Sequence, residues 1–110
     1  MRKGSGLSQV APSRIVGGMS SDVRHEHVFR GQVQGVGFRY TTRHIAQRFA
    51  VRGFVRNEPD GSVRLVVEGA ADELERFVAA IRAELARHID DHQHDVHPAT
   101  GEFADFGVRF

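Results

Sequence analysis

Two stretches of this chain carry residue types and spacings that could do chemistry. Residues 31–39 read GQVQGVGFR, and residues 57–62 read NEPDGS. Gly31, Gly35 and Gly37 allow unusual backbone angles and keep side chains out of a ligand's way. Successive N–H groups could converge on an anion there, with a helix N-terminus adding partial positive charge. Taken alone, the glycines favour a tight turn. A dinucleotide fingerprint would need glycine at Tyr40, and a Walker loop needs a Gly-Lys pair that is absent. Arg39 changes the balance. A cation in the first turn of a helix opposes the macrodipole at a cost of about 0.3–1 kcal/mol. An anion between the two removes that conflict, and a guanidinium can grip phosphate with two parallel hydrogen bonds. Asn57 offers an uncharged donor and acceptor that could orient a water. An ordinary turn asparagine fits the same local pattern better.

The elements that must position these groups follow from periodicity. Residues 23–33 read as a strand, with His27, Phe29, Gly31 and Val33 on one parity. Two histidines in a strand are ordinarily packed or surface residues. Thr41, Ile45 and Phe49 recur at helical spacing, which predicts a helix over 39–50. GFVRN then reads as a strand, NEPDGS as a turn, and residues 62–69 as a strand with Val63, Leu65 and Val67 inward. A second helix follows, with Asp72 as cap, Glu75 completing a capping box, and the stripe Leu74, Phe77, Val78, Ile81, Leu85 toward the core. A short edge strand is expected over 93–97 and a final strand through Phe106, Val108 and Phe110. The fold class is therefore α+β: a ferredoxin-like βαββαβ sandwich, an antiparallel sheet with two helices on one face.

Composition narrows the functions. The length of 110 residues suits one domain, and 40% hydrophobic with 26% charged residues suits a soluble globular body. Residues 1–22, rich in Gly, Ser and Pro, read as a flexible tail, leaving 23–110 as the domain. A net charge of +1 argues against a dedicated nucleic-acid surface. Cysteine is absent, which excludes disulfides and thiolate chemistry. There is no apolar run long enough for a membrane helix and no secretory h-region, so a cytoplasmic home follows by elimination. His88, His92, His94 and His97 cluster with Asp90, Asp91 and Asp95. Metal ligation there is chemically possible, but no ligand template matches, and a solvated polar loop is the expectation.

Residues 31–39 closely resemble the signature loop of acylphosphatases, whose core reads VQGVGFR. GFVRN at 53–57, DGSV at 60–63, Glu68-Gly69 and the terminal FGVRF resemble further landmarks of that family. The resemblance spans residues 24–110. It implies hydrolysis of the carboxyl-phosphate anhydride of an acyl phosphate, giving a carboxylate and phosphate. It further implies that Arg39 and the loop amides of Gln34, Gly35, Val36, Gly37, Phe38 and Arg39 bind the phosphate. Asn57 would position the attacking water, on the strand next to the loop's. No metal or organic cofactor is implied, and the implied partner is a small-molecule acyl phosphate; separately, a monomer is expected. The segment 88–105 departs from the family, lacking its Gly-Pro-Pro-like turn.

The same fold serves non-catalytic phosphate-binding or RNA-binding modules. An RNA-recognition motif begins like R52-G-F54, but then needs stacking aromatics where this chain has residues 55–58. The acylphosphatase-like front domain of hydrogenase-maturation carbamoyltransferases is a third reading, set against the absence of the large remainder.

Overall fold

The computed structural model describes residues 22–110. The expected tail lies outside the described residues except for Asp22, which opens the first strand. The elements are β1 (Asp22–Gly31), α1 (Phe38–Ala46), β2 (Arg52–Asn57), β3 (Val63–Ala70), α2 (Ala71–Leu85), a single 3-10 turn (Ala86–His88), β4 (Ile89–Pro98) and β5 (Phe106–Arg109). The sheet order is β4-β1-β3-β2-β5. The four strands of the βαββαβ unit pair antiparallel, and β5 adds to β2 in parallel. The expected antiparallel sheet is thus mixed at one edge.

Alternation along the strands decides which face is covered. Phe29, Val55, Val63, Leu65 and Val67 point toward the helices, where Ile45, Leu74, Phe77, Ile81 and Leu85 close over them. The opposite face is not bare. Phe54 and Val66 are buried there, and the Arg109 guanidinium lies 4.1 Å from the centre of the Phe54 ring. Around them runs a lattice of ion pairs: Arg24 with Glu26 and Glu68, Arg64 with Glu26 and Glu58, and Arg56 with Glu58.

Both helices differ from expectation in instructive ways. In α1 the α-helical span ends at Ala46, and tighter i to i−3 hydrogen bonds carry the chain on to Phe49. Phe49 still packs on Phe77, so the periodic signal was about burial. In α2 Asp72 does not cap. β3 runs straight into the helix, so the cap position falls on Ala70, which has no side-chain cap bond. Asp72 and Glu73 instead supply negative charge to the first turn, and the Glu73 carboxylate accepts the Ala50 N–H at 2.8 Å.

The histidine-rich segment is a strand, not a loop. β4 is ten residues long and pairs with β1 along its whole length, well beyond the short strand expected over 93–97. The register sets His27 opposite His94 and Phe29 opposite His92. With β1 as partner, these polar residues lie on the helix side of the sheet edge, where His25 and His27 are buried. Burial, reinforced by neighbouring imidazoles and by Arg82, holds His27 down at about 3 and His92 at about 4.

Candidate active site

The segment between β1 and α1 is pinned at both ends and open in the middle. Val33 and Phe38 are buried, with the Phe38 ring 5.3 Å from that of Phe29. Gly35, Val36 and Gly37 between them are exposed. Gly35 and Gly37 have φ of 79° and 80°, a left-handed geometry that L side chains adopt only under strain. Gly37 is the N-cap of α1, and its carbonyl accepts the Thr41 N–H at 2.9 Å. Gly31 serves a different need. A Cβ there would lie 2.5 Å from the His88 carbonyl oxygen, so the residue lets β1 meet the start of β4. Among the described residues, no backbone N–H from Gln34 to Arg39 donates to an acceptor. These groups form a concentration of partial positive charge at a helix start.

Arg39 follows in the first turn of α1. Its guanidinium donates to the Arg109 carbonyl at 3.3 Å and lies 4.7 Å from the centre of the exposed Phe110 ring. Among the described residues no carboxylate pairs with it. Its charge is held in place without being neutralised.

Asn57 ends β2, and the strand register shows how it relates to the loop. Val63 lies opposite Phe29 on β1 and opposite Asn57 on β2. The loop entrance and Asn57 therefore flank the same end of β3. They are not on neighbouring strands as expected, because β3 runs between them. The Asn57 Oδ1 is buried and accepts no hydrogen bond among the described residues. An unsatisfied buried amide oxygen costs on the order of 1–3 kcal/mol, so its position needs an explanation beyond folding.

A side chain that the sequence did not single out for its amide joins the two halves. Gln34 Nε2 donates to the carbonyls of Glu58 and Ser62, both at 2.8 Å, clamping the loop to the turn that follows Asn57. That turn is stiff in itself. Asp60 accepts from both the N–H and the hydroxyl of Ser62. The Ser62 bonds, with help from Arg30, hold the Asp60 carboxyl at about 2. So fixed, Asp60 is a poor proton acceptor near neutral pH. The C-terminal contacts to Arg39 were also hidden in the sequence. FGVRF reads as a strand, and nothing in its alternation says which helix its end will touch.

Comparison with known proteins decides the family. The acylphosphatase family model matches residues 25–108. The chain belongs to the acylphosphatase family. An acylphosphatase of Lactobacillus johnsonii is 45% identical over 82 residues, covering 73% of this chain and 90% of that protein. The crystal structure of acylphosphatase from Bacillus subtilis superposes with a TM-score of 0.71 at 26% identity, covering 80% of this chain and 99% of that one. HypF of T. kodakarensis matches with a TM-score of 0.66 at 30% identity, but the likeness covers 81% of this chain and only 12% of HypF. This acylphosphatase chain is thus a hydrolase, and the non-catalytic reading falls away. No helix among the described residues is long and apolar enough to cross a membrane.

Proposed function

We propose that residues 34–39 bind the phosphoryl group of an acyl phosphate and that Arg39 and Asn57 carry the hydrolysis. One observation supports this most: unpartnered N–H groups, an unneutralised guanidinium and an orphaned amide oxygen all lie around one end of β3. The loop amides and Arg39 hold the three non-bridging oxygens and neutralise charge that shifts during transfer. The Asn57 Oδ1 accepts a hydrogen bond from the attacking water and aims its lone pair at phosphorus.

The water oxygen forms a bond to phosphorus as the bond to the acyl oxygen breaks. The carboxylate leaves with that electron pair, and the water proton passes to a non-bridging phosphate oxygen. The anhydride is already activated and its leaving group is a weak base, so positioning and charge stabilisation suffice. No side chain beside Asn57 is needed as a base, consistent with the tethered state of Asp60.

Hydrolysis of benzoyl phosphate without added metal tests the assignment. Turnover is expected, with loss in Arg39→Gln and in Asn57→Ala. A folded, fully active Arg39→Gln protein would overturn it. An essential ionisation near neutral pH would instead point to an enzyme base.

A further inference from the structure

A second cluster of chemistry lies at the β1/β4 edge, outside the proposed acyl-phosphate site. His25 and His27 on β1 face His92 and His94 on β4, on the helix side of the sheet. Their hydrogen bonds have a direction. Arg82 on α2 can only donate, so the His92 Nδ1 that it contacts must accept. A neutral imidazole then carries its proton on Nε2. His92 Nε2–H donates to His27 Nδ1 at 2.7 Å, and His27 Nε2–H donates to His25 Nδ1 at 3.1 Å. Every imidazole in the relay is a neutral Nε2–H tautomer. His94 stands outside it. It makes no hydrogen bond among the described residues, it is exposed, and its ring stacks 5.1 Å from that of His27.

We propose that His27, His92 and His94 form a binding site for a divalent transition-metal ion of the zinc, nickel or copper class. One nitrogen from each of the three lies within 4.8 Å of the others. Metal–nitrogen bonds of about 2.0–2.1 Å at tetrahedral angles need nitrogens roughly 3.3 Å apart, within reach of small side-chain rotations. Imidazole donors select these borderline ions over magnesium and calcium. His27 is buried and His94 exposed, so the ion enters from the sheet edge and keeps a solvent-facing position for water.

The relay specifies what must change on binding. The ion takes the place of the proton shared by His92 Nε2 and His27 Nδ1. That proton moves through solvent to His92 Nδ1, so the ring stays neutral. His92 Nδ1 then becomes a donor and can no longer accept from Arg82, whose exposed side chain must swing away. Arg82 therefore opposes the ion twice, by occupying the ligand's second nitrogen and by its charge.

Calorimetric titration of the untagged full-length protein with zinc or nickel tests this. One ion per chain is expected, with micromolar or tighter affinity and no competition from magnesium. His94→Ala should weaken binding beyond the roughly 10–100-fold that loss of an outer hydrogen-bond partner costs. Arg82→Gln should tighten it by about tenfold, the effect of removing one nearby unit charge through a water-like dielectric. His97→Ala and His44→Ala should leave it unchanged. Because His94 is exposed, its variant is expected to fold. In cobalt-loaded protein the visible d–d bands of imidazole coordination should vanish in His94→Ala and His92→Asn. No binding to wild type, binding that survives His94→Ala, or weaker binding in Arg82→Gln would each overturn the assignment.

Discussion

The two ends of the sheet each hold polar groups taken out of water, and they treat them in opposite ways. At one end Glu68 is completely buried and fully satisfied. It accepts from the Thr100 N–H at 2.9 Å, the Thr100 hydroxyl at 2.7 Å, the Gly101 N–H at 2.9 Å and Arg24 at 3.3 Å. At the other end Asn57 Oδ1 accepts nothing, and Arg39 has no carboxylate among the described residues. The first arrangement ties the segment between β4 and β5 to the sheet, and its interaction energy goes into the fold. The second leaves binding capacity unspent, which is what a site for an anion and a water requires. Missing partners alone do not mark a site, since the buried Thr42 Oγ1 on α1 also lacks one among the described residues; what sets the Asn57 end apart is that its orphaned oxygen shares one end of β3 with open loop amides.

Substitutions can break that contrast. Arg39→Gln should lower benzoyl phosphate turnover by about a thousandfold, the upper range for removing one oxyanion donor, with the melting temperature nearly unchanged. Paired activity and calorimetry measurements check this. Glu68→Ala should do the reverse, destabilising by about 3 kcal/mol, because three donors and Arg24 lose their acceptor, while kcat of the folded protein is kept. Chemical denaturation with kinetics at low temperature separates the two. Asn57→Ala should cost roughly a hundredfold in kcat with little change in KM, as expected for a mispositioned nucleophile.

Acid sharpens the comparison further. Burial alone would raise the Glu68 carboxyl, but the Thr100 and Gly101 donors and Arg24 outweigh it and hold the group at about 2, against an ordinary 4.5. The folded state therefore keeps the charge where the unfolded chain takes up a proton. This stability is fully present above the ordinary value and is lost as pH falls through about 2. The denaturation midpoints of wild type and Glu68→Gln should approach each other over that window. The smallest effect is expected from Phe110→Ala. It removes the ring beside Arg39 but leaves the Arg109 carbonyl, so KM for benzoyl phosphate should rise only about two- to fivefold, in line with a cation–π contact worth roughly 0.5–1 kcal/mol at an exposed site.

Much of this was legible in the sequence, for identifiable reasons. The strands and helices announce themselves because Val63, Leu65 and Val67, or Leu74, Phe77 and Ile81, repeat at the period of the surface they cover. The loop is legible because glycine is the residue that tolerates the left-handed angles at positions 35 and 37. What escaped was pairing. Nothing local to Asn57 reveals that β3 separates it from the loop, or that Gln34 reaches the carbonyls beyond it. The histidines of 88–97 read as a solvated loop because their partners, His25 and His27, lie more than sixty residues earlier in the chain. The capping box at Asp72 failed because local pattern cannot show that β3 continues unbroken into α2.

The Gln34 clamp has a consequence for the order in which the molecule comes together. Its two hydrogen bonds join residues 24 and 28 positions apart. They can form only after β1 and β3 have found their register. The strand pairing that must come first is slower than helix formation. During refolding, helical circular dichroism should therefore return ahead of enzymatic activity. In native-state hydrogen exchange, the amides beside the clamp should open with the central strands and not with the surrounding loops.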